Sequence, residues 1–328
     1  MTHYHNIVVF NWNSKNIDAL QQGVSIAKQH NAALTVVEIF DSTGDTFDSQ
    51  VGSPYSPHQT YLIGRQNPVN RGDTHHAIQK SGISAERKYM MGGSHQQILE
   101  AVKHNDYDLV ILGASNFNEN IGFGTSTLVN LVRRCPVALW IVKPGYGNPG
   151  QNRILAAVDP APGPGPFADS ENVLNKQILQ AAAAVAKPNS SPIDIVHCWL
   201  QPMEDRLRRS SNSTERDIRN ALNRTRRNHQ RWLKLLLDSA EDQQITSKIH
   251  LLKGKPHLII PDLARKHHYD LVIMGNMSRA GVNGLFVGNT AEKILCRSDV
   301  SLLIVKPLAF FETTEHRPST LEADCVFA

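Results

Sequence analysis

An aspartate closing one apolar run, a His-Cys pair closing another and a glycine-rich loop after a third are the groups in this chain best suited to hold a ligand. Asp159 ends RILAAVD and is followed by Pro160 and a Gly/Pro-rich stretch. A carboxylate there accepts hydrogen bonds from a ligand amine, or caps the next helix. His197-Cys198 ends IDIVHC; the two side chains read as packing, and their backbone groups can still meet a planar base. The loop GNMSRAGVNGLFVGNTAEKIL begins at Gly275, and Gly281, Gly284 and Gly288 let the backbone turn tightly and approach a ligand. Asn289-Thr290 opens a helix, whose free amides and positive dipole favour phosphate oxygens, and Arg279 adds charge.

These groups need a scaffold that brings strand ends together. In the second half, β-branched apolar runs at Ile154–Val158, Ile193–Cys198, Ser247–Leu252, Leu271–Met274 and Ser301–Val305 alternate with amphipathic stretches at Glu171–Lys187, Met203–Ala240, His257–His267 and Thr290–Arg297. Near-continuous apolar strands mean burial on both faces, and alternation with helices means right-handed crossovers and a doubly wound parallel α/β sheet. Ligands of such sheets sit at the carboxyl ends of the strands. Pro261 is an awkward residue inside its helical stretch. The first half repeats the order, with strands at Ile7–Asn11, Ala33–Ile39, Ser84–Met90, Leu109–Leu112 and Val137–Val142.

The repetition is internal duplication. DYDLVILG at residues 106–113 returns as HYDLVIMG at 268–275, and CPVALWIVKP returns as DVSLLIVKP, with offsets of 162 and 163 residues. The turn-rich Gly145–Gly150 stretch divides the copies, giving domains 1–147 and 148–308 and a tail, 309–328, without a counterpart and expected to be mobile. The 328-residue length agrees with about two domains.

Other chemistries find little support. There is no GxxxxGK[ST], GxSxG or HExxH segment. The adjacent pairs His75-His76 and His267-His268 make no metal face, because neighbours on a helix point apart. Cys135, Cys198, Cys296 and Cys325 are scattered and read as reduced thiols. Apolar runs are too short to span a membrane, and the N-terminus enters a strand with no leader pattern, so a cytoplasmic protein is expected. The formal charge of +4 is small. The arginine-rich stretch from Arg206 to Arg231 is diluted by Glu204, Asp205, Glu215 and Asp217, and reads as a solvated helix face rather than a nucleic-acid surface. Leu222, Trp232, Leu233, Leu236 and Leu237 form its buried side.

The spacing of Gly275, Ser278 and Gly288 resembles the G-x2-G-x9-G-[S/T] nucleotide loop of the universal stress proteins, with Ser278 and Asn289 as departures. KGKPHLIIPDLARK, GNTAEKIL and IVKP look most like the tandem type called E. The resemblance implies two tandem Rossmann-like domains of five parallel strands, a bacterial stress-response role, and ATP, with or without Mg²⁺, in the second domain. It places Asp159 and Cys198 at the adenine and Gly275, Ser278, Gly288 and Asn289 in the nucleotide loop; Arg279 and Thr290 join them through the charge and helix start noted above. It also implies packing of the two domains as a pseudo-dimer, with the strands ending in IVKP at the seam, and a possible homodimer. In the first half Asn11 takes the place of Asp159, and Thr125-Ser126 is the remaining anion cradle, so that half reads as a scaffold. A slow ATPase using Arg279, or a scaffold for another small molecule, are the alternatives.

Overall fold

A computed structural model describes residues 4–12, 17–40, 73–114, 123–146, 153–162, 168–187, 190–201, 203–210, 213–240, 248–276 and 290–306. The first half runs β1 (Asn6–Trp12), α1 (Ile17–His30), β2 (Ala33–Phe40), α2 (Asp73–Ser81), β3 (Ala85–Met91), α3 (His95–Lys103), β4 (Leu109–Gly113), α4 (Thr125–Arg134) and β5 (Ala138–Val142). The second runs β6 (Ile154–Ala157), α5 (Ala168–Ala186), β7 (Ile193–Trp199), α6 (Glu204–Arg209), α7 (Glu215–Asp238), β8 (Lys248–Lys253), α8 (Pro256–Lys266), β9 (Leu271–Gly275), α9 (Thr290–Leu295) and β10 (Ser301–Val305). The strands form one ten-stranded sheet in the order β3-β2-β1-β4-β5-β10-β9-β6-β7-β8.

Each half is parallel throughout, as buried apolar strands require, and the only antiparallel pair among the described strands is β5 with β10. That pair joins the halves edge to edge at the IVKP strands. Its register sets Leu303 opposite Trp140, and Leu302 and Ile304 opposite Ile141 and Leu139. Leu303 and Trp140 are themselves counterparts in the duplication, so the seam has the self-complementarity of a two-fold interface. Side chains reinforce it. The buried Asn276 amide and the buried Lys306 ammonium both donate to the Val132 carbonyl, at 2.7 Å and 2.6 Å. Burial lowers the Lys306 pKa to about 8. Arg133 of α4 pairs with Glu292 of α9 at 2.5 Å.

Two cores lie on opposite faces of the sheet. One packs α1 and α5, with Leu233 and Leu236 of α7, against residues such as Val9, Ile111, Ala156 and Ile273. The other packs α3, α4, α8 and α9 against Val8, Val110, Leu155 and Val272. The alternating strand residues therefore serve both layers, which explains why the strands show no polar face in the sequence.

The 203–240 stretch does not form one continuous element. It divides into α6 and α7, because Thr214 starts a new helix with a capping box: its hydroxyl accepts from the Asp217 N–H, and the Asp217 carboxylate accepts from the Thr214 N–H. Thr214→Ala is expected to lower stability by about 1 kcal/mol, read as a shifted urea midpoint with an unchanged slope. On α7, Ile218, Leu233 and Leu236 are buried, whereas Leu222, Trp232 and Leu237 are half-buried. α8 starts at Pro256 and continues through the buried Pro261, losing one backbone bond to a carbonyl a turn earlier. The tail 309–328 and the dividing residues 147–152 lie outside the described residues.

Candidate functional site

The carboxyl ends of β6, β7 and β9 surround a cavity of about 300 Å³, closed laterally by α5, α8 and the start of α9. Its walls are mainly apolar, including Ala157, Leu174, Ile178, Val196, Ile260 and Met274. Polar groups among its lining residues are few: Asp159, Asn175, the Cys198 thiol and Thr290. An apolar slot with a few convergent polar groups suits a flat heterocycle carrying a polar extension.

Asp159 follows β6 directly, and Asn175 of α5 fixes its backbone. The Asn175 Oδ1 accepts from the Asp159 N–H at 2.8 Å, and its Nδ2 donates to the Asp159 carbonyl at 2.8 Å. Both of its backbone groups are thus held by a buried amide, and its carboxylate accepts from the Ala161 N–H. Its side chain is 79% exposed. It stands among enough protein to lose distant hydration, and desolvation raises its pKa above the ordinary carboxylate value. The structure thus brings Asp159, Cys198, Gly275 and Thr290 around one cavity. Ser278, Arg279, Gly288 and Asn289 lie outside the described residues.

Cys198 offers no nucleophile. Burial, with the Asp159 charge second, moves its thiol up to about 12, so it stays protonated at the cavity wall. Gly275 has a packing reason for being glycine: a Cβ there would stand 2.6 Å from Cδ2 of Leu174. The bare backbone lets α5 close over the end of β9 and shape the cavity floor.

Behind the cavity, His197 points the other way and is 1% exposed. Its Nδ1 lies 3.1 Å from the Val158 carbonyl and its Nε2 lies 2.8 Å from Nδ1 of His229 on α7. A carbonyl only accepts, so His197 carries its proton on Nδ1 and His229 donates to Nε2. This is the arrangement of a neutral His197 ring. Burial depresses the His197 pKa to about 4, and burial followed by the facing His197 lowers that of His229. The Trp199 and Trp232 rings enclose His229, at 5.9 Å and 4.9 Å between centroids. The backbone just before Asp159 is thus tied through two imidazoles to α7.

Among the described residues, larger side chains stand in the equivalent region of the first half. Asp108 and Asp270 occupy the same place in the duplication and accept from the Asn6 and Arg153 N–H groups. β1 meets β4 with Phe10 opposite Leu112, where β6 meets β9 with Ala157 opposite Met274. Phe10 therefore corresponds to Ala157, and Trp12, rather than Asn11, corresponds to Asp159. This corrects the expectation for Asn11, which is fully buried and donates to the Thr74 hydroxyl at 3.2 Å. Phe10 is also fully buried, together with Ile39 and Ile98, the counterparts of Cys198 and Ile260. Trp12 caps them, edge-on to the buried Phe123 at 5.4 Å, and lies so close to Gly93 that a Cβ there would collide with its ring. Thr125 and Ser126 begin α4 as exposed residues.

The sequence reading did not find Asn175, Ala157, Leu174 or Ile260. Two signals were present: a polar residue at a core-facing helix position, and Ala where the duplicated strand has Phe.

Comparisons with known proteins agree with this architecture. The Universal stress protein family matches residues 4–143 and 152–306. Universal stress protein E of Salmonella typhi is 28% identical over 222 residues, covering 66% of this chain and 63% of that protein. Universal stress protein E of Escherichia coli K12 is 27% identical over 216 residues, covering 65% of each. The matches thus span just under two thirds of the length of these relatives. Among solved structures, a putative universal stress protein from Pseudomonas aeruginosa UCBPP-PA14 superposes with a TM-score of 0.61 at 19% identity, over 95% of this chain and 96% of that one.

Proposed function

This chain belongs to the universal stress protein family, and on that premise we propose that it binds ATP in its second half and serves a bacterial stress response. The observation that carries the reading is the asymmetry of the duplication: Ala157 and Asp159 border a cavity with a carboxylate at its mouth, where the first half has the rings of Phe10 and Trp12 among the described residues. The adenine occupies the apolar slot between Val196, Ile260 and Met274, and its exocyclic amine faces Asp159. The phosphates, free or as a Mg²⁺ complex, extend past Gly275 toward Thr290. The resemblance assigns further contacts to Ser278, Gly288 and Asn289, and Arg279 adds charge in the same loop.

The protein's own contribution is to bind and orient. Asn175 holds the Asp159 backbone, Gly275 admits α5 over the slot, and the first half serves as a scaffold that buttresses α9 through Arg133 and Glu292. Occupancy biases the conformation of the second half, and a partner reads that state. Domains 1–147 and 148–308 act as one pseudo-dimer in the cytoplasm.

Calorimetry with ATP on the full chain tests this. Asp159→Ala is expected to weaken binding about tenfold, equivalent to about 1.4 kcal/mol, with less effect on a nucleotide lacking the exocyclic amine, such as ITP. Equal loss for ATP and ITP would remove the carboxylate from base recognition, and no heat with either at millimolar concentration would overturn nucleotide binding.

A further inference from the structure

We propose that α7 docks onto the phosphate backbone of duplex DNA through the basic stripe on its outer face. The sequence reading treated the Arg206–Arg231 stretch as a solvated face diluted by acids. The structure keeps the acids at the N-terminal end of the stretch, where Glu204 and Glu215 face Arg208. Glu204 pairs with Lys253 and with Arg208, and Asp217 is held by the Thr214 cap. From Ile218 to Leu237 the helix contains no acidic residue.

Helical spacing puts Arg216, Asn220, Asn223, Arg227, Arg231 and Lys234 in one row, opposite the buried Ile218, Leu233 and Leu236. All six are exposed. Arg219, Arg224 and Arg226 flank the row and are exposed too. Among the described residues, none of these seven cations enters an ion pair. The row is about 27 Å long at 1.5 Å per residue, enough to follow several successive phosphates.

The composition of the face distinguishes among polyanions. Arginine outnumbers lysine six to one along α7, and the guanidinium fork matches phosphate oxygens in pairs. The interleaved groups are amides, Asn220 and Asn223, which donate to sugar and phosphate oxygens. A membrane-seeking helix would carry large apolar groups along the same face; here only Leu235 is exposed beside the row. Single strands would want aromatic platforms, but Trp232 faces inward against His229. A helical cationic row without stacking groups is suited to a regular duplex.

Fluorescence anisotropy with a labelled 20-base-pair duplex and the full chain tests the proposal. Micromolar affinity is expected at about 50 mM salt, with log K falling against log salt at a slope near −3 to −4, as about four phosphate contacts would give. Arg227→Glu combined with Arg231→Glu should weaken binding at least about tenfold and reduce the slope by about two. The charge-matched pair Lys28→Glu and Lys103→Glu, exposed on α1 and α3, should leave both within twofold. Circular dichroism confirms that the variants are folded. The proposal is overturned by no binding at 50 mM salt, by equal loss in the control pair, or by equal or tighter binding to a single strand, to polyglutamate or to phosphatidylserine vesicles.

Discussion

Ala157→Phe is expected to reduce ATP affinity by at least about 100-fold, or about 2.7 kcal/mol, while leaving the fold intact. The duplication supplies the reason. Phenylalanine already stands at the corresponding position of β1, fully buried among Ile39, Ile98 and Leu112. The second half keeps this volume open because its strand has a methyl group there, on the wall of a cavity of about 300 Å³. A benzyl group at 157 enters existing space, so the strain that normally accompanies a larger core residue is small. Titration calorimetry gives the affinity, and thermal melting without nucleotide shows whether the chain has tolerated the ring. A variant that melts normally and still binds ATP as the native chain does would place the nucleotide elsewhere. The contrast with Asp159→Ala is informative, since that change removes a polar contact but leaves the slot.

Acidification should unfold the protein through its paired imidazoles. His197 has a folded pKa of about 4, against about 6.5 for an unconstrained histidine. The unfolded chain therefore takes up a proton at higher pH than the native one. Stability is fully present above about pH 6.5 and is lost as pH falls toward 4, by roughly 3 kcal/mol for this residue. His229, also lowered, acts in the same direction. Asp159, Asp108 and Asp270 have raised values and act in the opposite sense at lower pH. The comparison that isolates the histidine is therefore between wild type and His197→Gln, whose amide can still donate to the Val158 carbonyl. Urea denaturation at pH 7.5, 6, 5 and 4.5 should show the wild type losing stability faster than the variant. Parallel curves would mean that His197 titrates alike in the folded and unfolded chain.

The duplication, the parallel pairing within each half and the seam at the IVKP strands were legible in the sequence. All three rest on apolar runs long enough to show their type. Ser301–Val305 was located to the residue, and most other strands to within one. The Met203–Ala240 stretch was misread as a single element because the Thr214 cap interrupts a periodicity that resumes on the far side. The candidate site was only partly legible. Asp159 and Cys198 were found because strand ends converge in a doubly wound sheet, while Asn175 acts through its backbone contacts from mid-helix, which spacing does not advertise. Asn11, which closes the first apolar run, was given the place of Asp159. The ladder register places Trp12 there instead, and no local pattern separates two neighbouring residues at a strand end. The arginines of α7 were visible, but which of the nearby carboxylates the fold employs elsewhere was not.

The antiparallel pairing of β5 with β10 lies within a single polypeptide. Assembly of the two halves is therefore a first-order event, insensitive to dilution, whereas the same interface between separate chains would come apart as their number fell. A cell holding a few copies of this protein has the same fraction assembled as a cell holding thousands.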